Sequence, residues 1–267
     1  MIGKIIKYIL VYMLLLLGPV VVVVLAIVLN DHLAGGTMNS DDIWNMPYLI
    51  PAVVLGAVLI IIVFLWRRWA VLGLGHIRRN EVVKVVFLAV LVFISWFFIE
   101  YFLQGLIEVP DNMTDKEFEL LTEGVAGFVY TAILAPIAEE LLCRGAILGV
   151  MLKMMPRRPW IGIVVSAFIF GLLHMNPVQT VYGFLYGLLL GWLAWLTGSL
   201  LPCIIIHLAN NSFAMLLPET VDKEIADMSL TTEVLFSVIC LLILLAALRW
   251  FHATYRKRCR ENYFSSI

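Results

Sequence analysis

The 267-residue chain is 63% hydrophobic and 14% charged, and its mean hydropathy is +1.00. Soluble domains carry about 45–50% apolar and about 25% charged residues, so this composition excludes a soluble globular protein. The net charge of −1 says nothing about nucleic acid, because no basic surface stands free of the membrane. We therefore expect a lipid bilayer as the surroundings and no nucleic-acid partner.

Eight apolar segments are long enough to be membrane spans, because a crossing helix needs about 20 residues. They are predicted at residues 8–29, 47–66, 82–104, 124–150, 160–176, 177–197, 200–217 and 233–251. The predicted fold class is all-α: a polytopic membrane protein with a bundle of about eight transmembrane helices.

Basic residues in the loops predict the orientation of the bundle. If both termini are cytoplasmic, 15 of the 18 Lys and Arg residues fall on the inner side. This satisfies the positive-inside rule. We expect an integral, multi-pass protein of the bacterial plasma membrane. The segments 67–81 and 111–123 are predicted as short helices on the membrane surface.

The chain is predicted to form a single membrane domain with three parts. Residues 1–123 supply the first three spans and the surface segments, 124–217 form a four-span core, and 218–267 add an outer loop, the last span and a basic tail. Gly183, Gly187 and Gly191 give one helix a face of small residues, which predicts close packing within this chain. A homodimer through this face is the alternative.

The fourth span carries three charged residues in "APIAEELLCRGAILGV". One charge at the centre of a membrane helix costs about 2.5–3.5 kcal/mol, so three within six residues require a reason. Glu140 and Arg144 are four residues apart and lie on one helix face, which predicts a neutralising ion pair. Glu139 lies about 100° around the helix and cannot share that pair fully.

Two further spans carry polar residues at a similar depth. His174 ends "FIFGLLH", and His207 and Asn211 lie in "HLANN". At a rise of about 1.5 Å per residue, Glu139, His174 and His207 lie about 21, 21 and 15 Å from the inner ends of their spans. Three helices thus bring a carboxylate and two imidazoles to a common level, which predicts a site.

These groups suit hydrolysis with water as the nucleophile. A carboxylate and a neutral histidine can hold a water between them and remove its proton. A second histidine and an asparagine can donate hydrogen bonds to a developing oxyanion. No serine or cysteine acyl intermediate is needed.

Three motifs on successive spans resemble one known family. "EELLCR" fits Glu-Glu-x-x-x-Arg, "FGLLH" fits Phe-x-x-x-His and "HLANN" fits His-x-x-x-Asn. In this order they resemble the CAAX prenyl protease and bacteriocin-processing family of intramembrane proteases, also called Abi proteins, over residues 120–217. The resemblance implies an intramembrane endopeptidase whose substrate is a peptide or a membrane protein.

The resemblance also implies a role for each matching residue. Glu139 would be the water-activating base, aided by His174, while His207 and Asn211 would bind the oxyanion. Glu140 joins this catalytic set and also forms the structural pair with Arg144. A metal-free glutamate mechanism is favoured, because the His-Glu-x-x-His helix of common zinc proteases is absent. In the alternative, Glu139, His174 and His207 would hold zinc.

Two other functions are left open by the sequence. Chains of acidic residues and histidines inside membranes also mark ion paths, which is consistent with a proton- or ion-coupled transporter. No inverted repeat is visible, and this argues against a transporter. A non-catalytic membrane immunity or scaffold protein is the third interpretation.

Overall fold

The computed structural model describes residues 1–36, 48–106, 124–217, 225 and 228–262, and these residues form helices and connecting turns without any β-strand. The helices are α1 (Ile2–Leu33), α2 (Leu49–Trp66), α3 (Val82–Leu106), α4 (Gly124–Met154), α5 (Pro159–Leu173), α6 (Pro177–Thr197), α7 (Leu201–Leu216) and α8 (Leu230–Asn262). The predicted all-α bundle is confirmed.

Six of these helices are long and apolar enough to cross a membrane, and the protein is an integral membrane protein. The exceptions are α5 and α7, with 15 and 16 residues. At about 1.5 Å per residue they fall short of the roughly 30 Å hydrocarbon core. The spans predicted for them are too long. His207 lies near the middle of α7, and His174 directly follows the last residue of α5.

Helix α4 lies at the centre of the bundle and has an irregular backbone. Two π-helical segments, Val129–Leu134 and Leu141–Leu148, flank the regular turns of Ala135–Glu140. Pro136 stands between them and has no N–H, which disturbs the hydrogen-bond ladder of the preceding turn. Wider π turns are frequent at functional sites. The irregular backbone here frames the predicted site.

The small-residue face of α6 packs against α5. A Cβ added at Gly187 would lie 2.9 Å from the Cα of Ala167, and one added at Gly191 would lie 3.2 Å from the Ile163 side chain. The predicted close packing within the chain is therefore confirmed. Because this contact lets the two helices approach, it also brings the end of α5 to the level of α4 and α7.

The segment 67–81 was predicted as a surface helix, and this is wrong. It forms two short 3₁₀ turns, Leu74–His76 and Arg79–Glu81. Gly73 has a φ of +64°, a left-handed conformation that interrupts a helix. The segment docks on the α6–α7 turn instead, where Leu200 N donates to Leu72 O at 2.9 Å. The predictions for 111–123 and for the outer loop at 218–227 lie outside the described residues, apart from residue 225.

Candidate active site

The charged residues of α4 form a buried pair. Arg144 Nη1 lies 2.8 Å from Glu140 Oε1, and neither side chain is accessible to solvent. The guanidinium stands over the ring of Phe170, 4.2 Å from its centroid, and its Nη2 donates to Gly187 O at 3.4 Å. The ion pair, the aromatic ring and the backbone acceptor together offset the free-energy cost of burying the arginine away from water.

His207 of α7 contacts both glutamates of α4. Its Nδ1 lies 3.0 Å from Glu140 Oε1, and its Nε2 lies 3.6 Å from Glu139 Oε2. Because a carboxylate paired with arginine accepts hydrogen bonds, Nδ1 carries the hydrogen and donates it to Glu140. The other nitrogen then faces Glu139, whose side chain is 18% exposed and so is open to a small molecule.

Two aromatic rings fix the plane of the His207 imidazole. Phe170 and Tyr186 each stand nearly perpendicular to it, with centroids 5.6 Å away. With its nitrogens held by carboxylates and its faces and edges held by rings, this imidazole cannot rotate without breaking several contacts. His207 is therefore the centre of the cluster.

His174 lies immediately after α5 and not within it. Its Nδ1 lies 2.9 Å from Phe170 O, and its ring is 5.0 Å from the Phe170 ring. A carbonyl oxygen only accepts, so Nδ1 donates and Nε2 of the neutral imidazole is the free acceptor. Phe170 thus contacts both histidines. None of the hydrogen bonds of the described residues joins His174 to Glu139.

Asn211 hydrogen-bonds to the backbone of the π-helical turn. Its Nδ2 donates to Thr131 O at 3.0 Å. In this turn the N–H of Ala135 bonds five residues back, to Tyr130 O. The next such donor for Thr131 O would be Pro136, which has none. Asn211 donates to this oxygen from another helix and keeps a second amide N–H for another acceptor.

The alternative zinc set consists of Glu139, His174 and His207. No group of three His, Cys, Asp or Glu side chains among the described residues could hold a metal ion. The geometry of His207 gives a reason, because both of its nitrogens face carboxylates. To bind a metal ion, His207 would have to break one of these two contacts.

Sequence reasoning missed two partners of His207. It paired Glu140 with Arg144 and included Glu140 in the catalytic set, but it did not anticipate that Glu140 Oε1 contacts the His207 imidazole. It also gave no role to Tyr186, which is buried on α6. A tyrosine in the middle of an apolar helix has a hydroxyl that needs a partner, and this was the available signal.

The fold and the cluster define a helical membrane protein with carboxylates and imidazoles gathered inside the bundle. Residues 121–213, roughly a third of the chain, match the model of the Rce1-like family, described as type II CAAX prenyl endopeptidases. The family whose model this segment matches is the one that the three motifs predicted. Comparison with curated proteins and with solved structures gave no match.

Proposed function

We propose that the protein is an intramembrane endopeptidase that hydrolyses a peptide bond in or near the membrane with a water activated by Glu139. One observation carries this proposal. The imidazole of His207 contacts Glu139 and Glu140 at once, inside a segment that matches an endopeptidase family. Such an arrangement can accept, hold and return a proton.

The first step is the attack of water on the scissile carbonyl. A water that donates one hydrogen to Glu139 and the other to Nε2 of His174 keeps a lone pair for the carbonyl carbon. The partial exposure of Glu139 is consistent with access for this water. Glu139 takes the proton as the C–O bond forms, and the carbonyl oxygen becomes an oxyanion.

The second step uses the 3.6 Å separation between Glu139 and His207 Nε2. The proton passes from the carboxyl group to Nε2, and the imidazolium is stabilised by Glu140 on its other side. The imidazolium N–H and the second amide N–H of Asn211 then donate to the oxyanion. When the C–N bond breaks, the departing amine takes the proton, leaving a free acid and a free amine.

The proposed substrate is a peptide or a membrane protein that reaches the bundle from the bilayer. The family description names CAAX prenyl endopeptidases. The two candidate substrates to compare are therefore a peptide with a prenylated C-terminal tail and an unmodified peptide. We also propose that both termini face the cytoplasm, because this places most basic residues on the inner side.

The test is a cleavage assay with purified protein in liposomes. Prenylated and unmodified peptides are incubated with the native chain and with Glu139→Gln, and products are identified by mass spectrometry in H₂¹⁸O. We expect one ¹⁸O atom in the new carboxylate and a loss of about 10²–10⁴-fold in rate for Glu139→Gln, as for removal of a general base. Metal chelator in a parallel series should leave the native rate unchanged.

The matched control is Glu100→Gln, the same substitution at another membrane carboxylate. Glu100 is held on α3 by Trp96 and Gln104. Its substitution should leave the rate within about twofold of the native rate, since it touches no group of the proposed mechanism. Equal cleavage by native protein and Glu139→Gln would refute the proposal.

A further inference from the structure

Two basic residues lie at the same level of the bundle, at neighbouring ends of α1 and α2. Lys7 is in the second turn of α1, and Arg67 directly follows the last residue of α2. The two helices pack closely, because a Cβ added at Gly56 would lie 2.8 Å from Leu15 O. Each basic residue is about two to three helical turns from this contact, so both reach the same end of the helix pair.

One indole ring lies beside both cations. Lys7 Nζ is 5.0 Å and Arg67 Cζ is 6.0 Å from the ring centroid of Trp69. The ring is itself held by two aromatic neighbours, Tyr8 at 5.1 Å and Phe64 at 5.3 Å between centroids. Because Phe64 is fully buried, this arrangement is anchored in the core of the bundle. Two like charges are therefore held close to a ring that cannot move away.

No carboxylate of the described chain neutralises these two cations. Residues 1–30 and 43–80 contain no Asp or Glu but six basic residues: Lys4, Lys7, Arg67, Arg68, Arg78 and Arg79. Among the residues that the structure describes, the ion pairs involve neither Lys7 nor Arg67. Like charges repel, and an anion placed between them would convert this repulsion into attraction. The surface is thus suited to an anion from outside the chain.

Exposed apolar side chains accompany the two cations. Ile6, which precedes Lys7, is 50% exposed, and Trp66, which precedes Arg67, is 75% exposed. The Trp66 ring centroid is 5.7 Å from the guanidinium. Both helices are long and apolar enough to cross a membrane, and tryptophan and basic residues are typical of the boundary between hydrocarbon and water.

A ligand that covers this whole surface combines an anionic group with an apolar part. Soluble phosphate would contact the cations alone and leave the apolar side chains uncovered, whereas a phospholipid supplies both parts. The surface is named here the cation–indole cluster, and it consists of Lys7, Trp66, Arg67 and Trp69.

We propose that the cation–indole cluster binds the headgroup of an anionic phospholipid. The lipid phosphate lies between the ammonium of Lys7 and the guanidinium of Arg67, whose fork of N–H donors suits phosphate oxygens. The acyl chains then follow the apolar surface of the two helices. In the proposed orientation this end of the bundle faces the cytoplasmic leaflet, whose surface is negatively charged. The site is separate from the peptidase chemistry and does not depend on it.

The experiment measures lipid binding to the full chain in detergent micelles by native mass spectrometry. Dioleoylphosphatidylglycerol is the anionic probe, and dioleoylphosphatidylcholine, with the same acyl chains and no net charge, is the reference. We expect the native protein to bind the anionic lipid more tightly. Lys7→Gln/Arg67→Gln should weaken this binding about 30-fold, the combined effect of two basic residues at an anionic membrane surface. Trp66→Leu should weaken it about two- to fivefold, as expected for an exposed cation–ring contact.

The matched control is Lys153→Gln/Arg157→Gln. It also removes one lysine and one arginine, both exposed, but at the turn between α4 and α5. Its binding curve should coincide with the native one, and circular dichroism should show the native helix content in every variant. An equal loss in the control would mean that net charge alone attracts the lipid. That result, equal binding of the two lipids by the native protein, or displacement of the anionic lipid by inorganic phosphate would overturn the proposal.

Discussion

Two membrane-embedded carboxylates of this protein have opposite kinds of partners. Glu100 on α3 accepts hydrogen bonds from Trp96 and Gln104, which lie four residues before and after it on the same helix. Glu140 on α4 is bound by Arg144 from its own helix and by His207 from α7, 67 residues away. The first carboxylate is satisfied locally, whereas the second joins two helices.

This difference shows what separates a tolerated acid from a site. Partners four residues apart on a helix meet whatever the rest of the fold does. A partner from another helix comes into contact only if the two helices pack in the right orientation. Such a partner can also transfer a proton or bind a substrate between the two helices. Glu140 has a cation and an imidazole, while the two donors to Glu100 that the structure shows are neutral.

The largest effect on stability is expected from Arg144→Met. This change removes the cation and leaves a buried carboxylate, which costs about 3–5 kcal/mol when one partner of a buried pair is lost. The double variant Glu140→Gln/Arg144→Met should recover a large part of the lost stability, because it leaves no unpaired buried charge. Unfolding by SDS in mixed micelles, followed by circular dichroism, measures both. A double variant as unstable as the single one would show that the charge is not the cause.

An intermediate effect is expected at the contact between Asn211 and the π-helical turn. Asn211→Leu removes the side-chain donor to Thr131 O, and a part-buried hydrogen bond of this kind contributes about 0.5–1.5 kcal/mol. Pro136→Ala adds a backbone N–H at the position that lacks one. It should therefore cost less stability in the Asn211→Leu background than in the native chain. The same unfolding assay gives the coupling free energy, and additivity of the two changes would contradict the assignment.

The smallest effect is expected at Glu100. Gln104→Leu removes one neutral donor whose bond is 3.3 Å long and exposed, so it should cost no more than about 1 kcal/mol. Cleavage of peptide by this variant should equal the native rate. A loss as large as that of Arg144→Met would mean that the local and the interhelical carboxylates do not differ as described.

Much of the fold was predictable because apolar length is a property of the chain alone. The bounds 177–197 predicted for one span are those of α6. The geometry of α4 was less accessible. Its first π-helical segment contains Thr131, whose carbonyl accepts a hydrogen bond from Asn211 on another helix.

The sequence predicted which polar residues lie at similar depth in the membrane, but it did not predict their contacts. The four-residue spacing predicted that Glu140 lies beside Arg144. The estimated depth in the membrane predicted that Glu139 lies at a level similar to that of His207. Spacing did not show that one imidazole contacts both glutamates, nor that Phe170 contacts both histidines. Those facts depend on the rotation of α4, α5 and α7 about their own axes.

By itself, the sequence determined that the chain crosses a membrane, which residues are too polar for lipid, and which pairs share a helix face. These follow from composition and from the period of a helix, which act along the chain. Only the tertiary structure decided that His207 joins Glu139 to Glu140 and that Tyr186 closes the cluster. Such contacts depend on the packing of side chains between helices, and no single segment of the sequence carries that information.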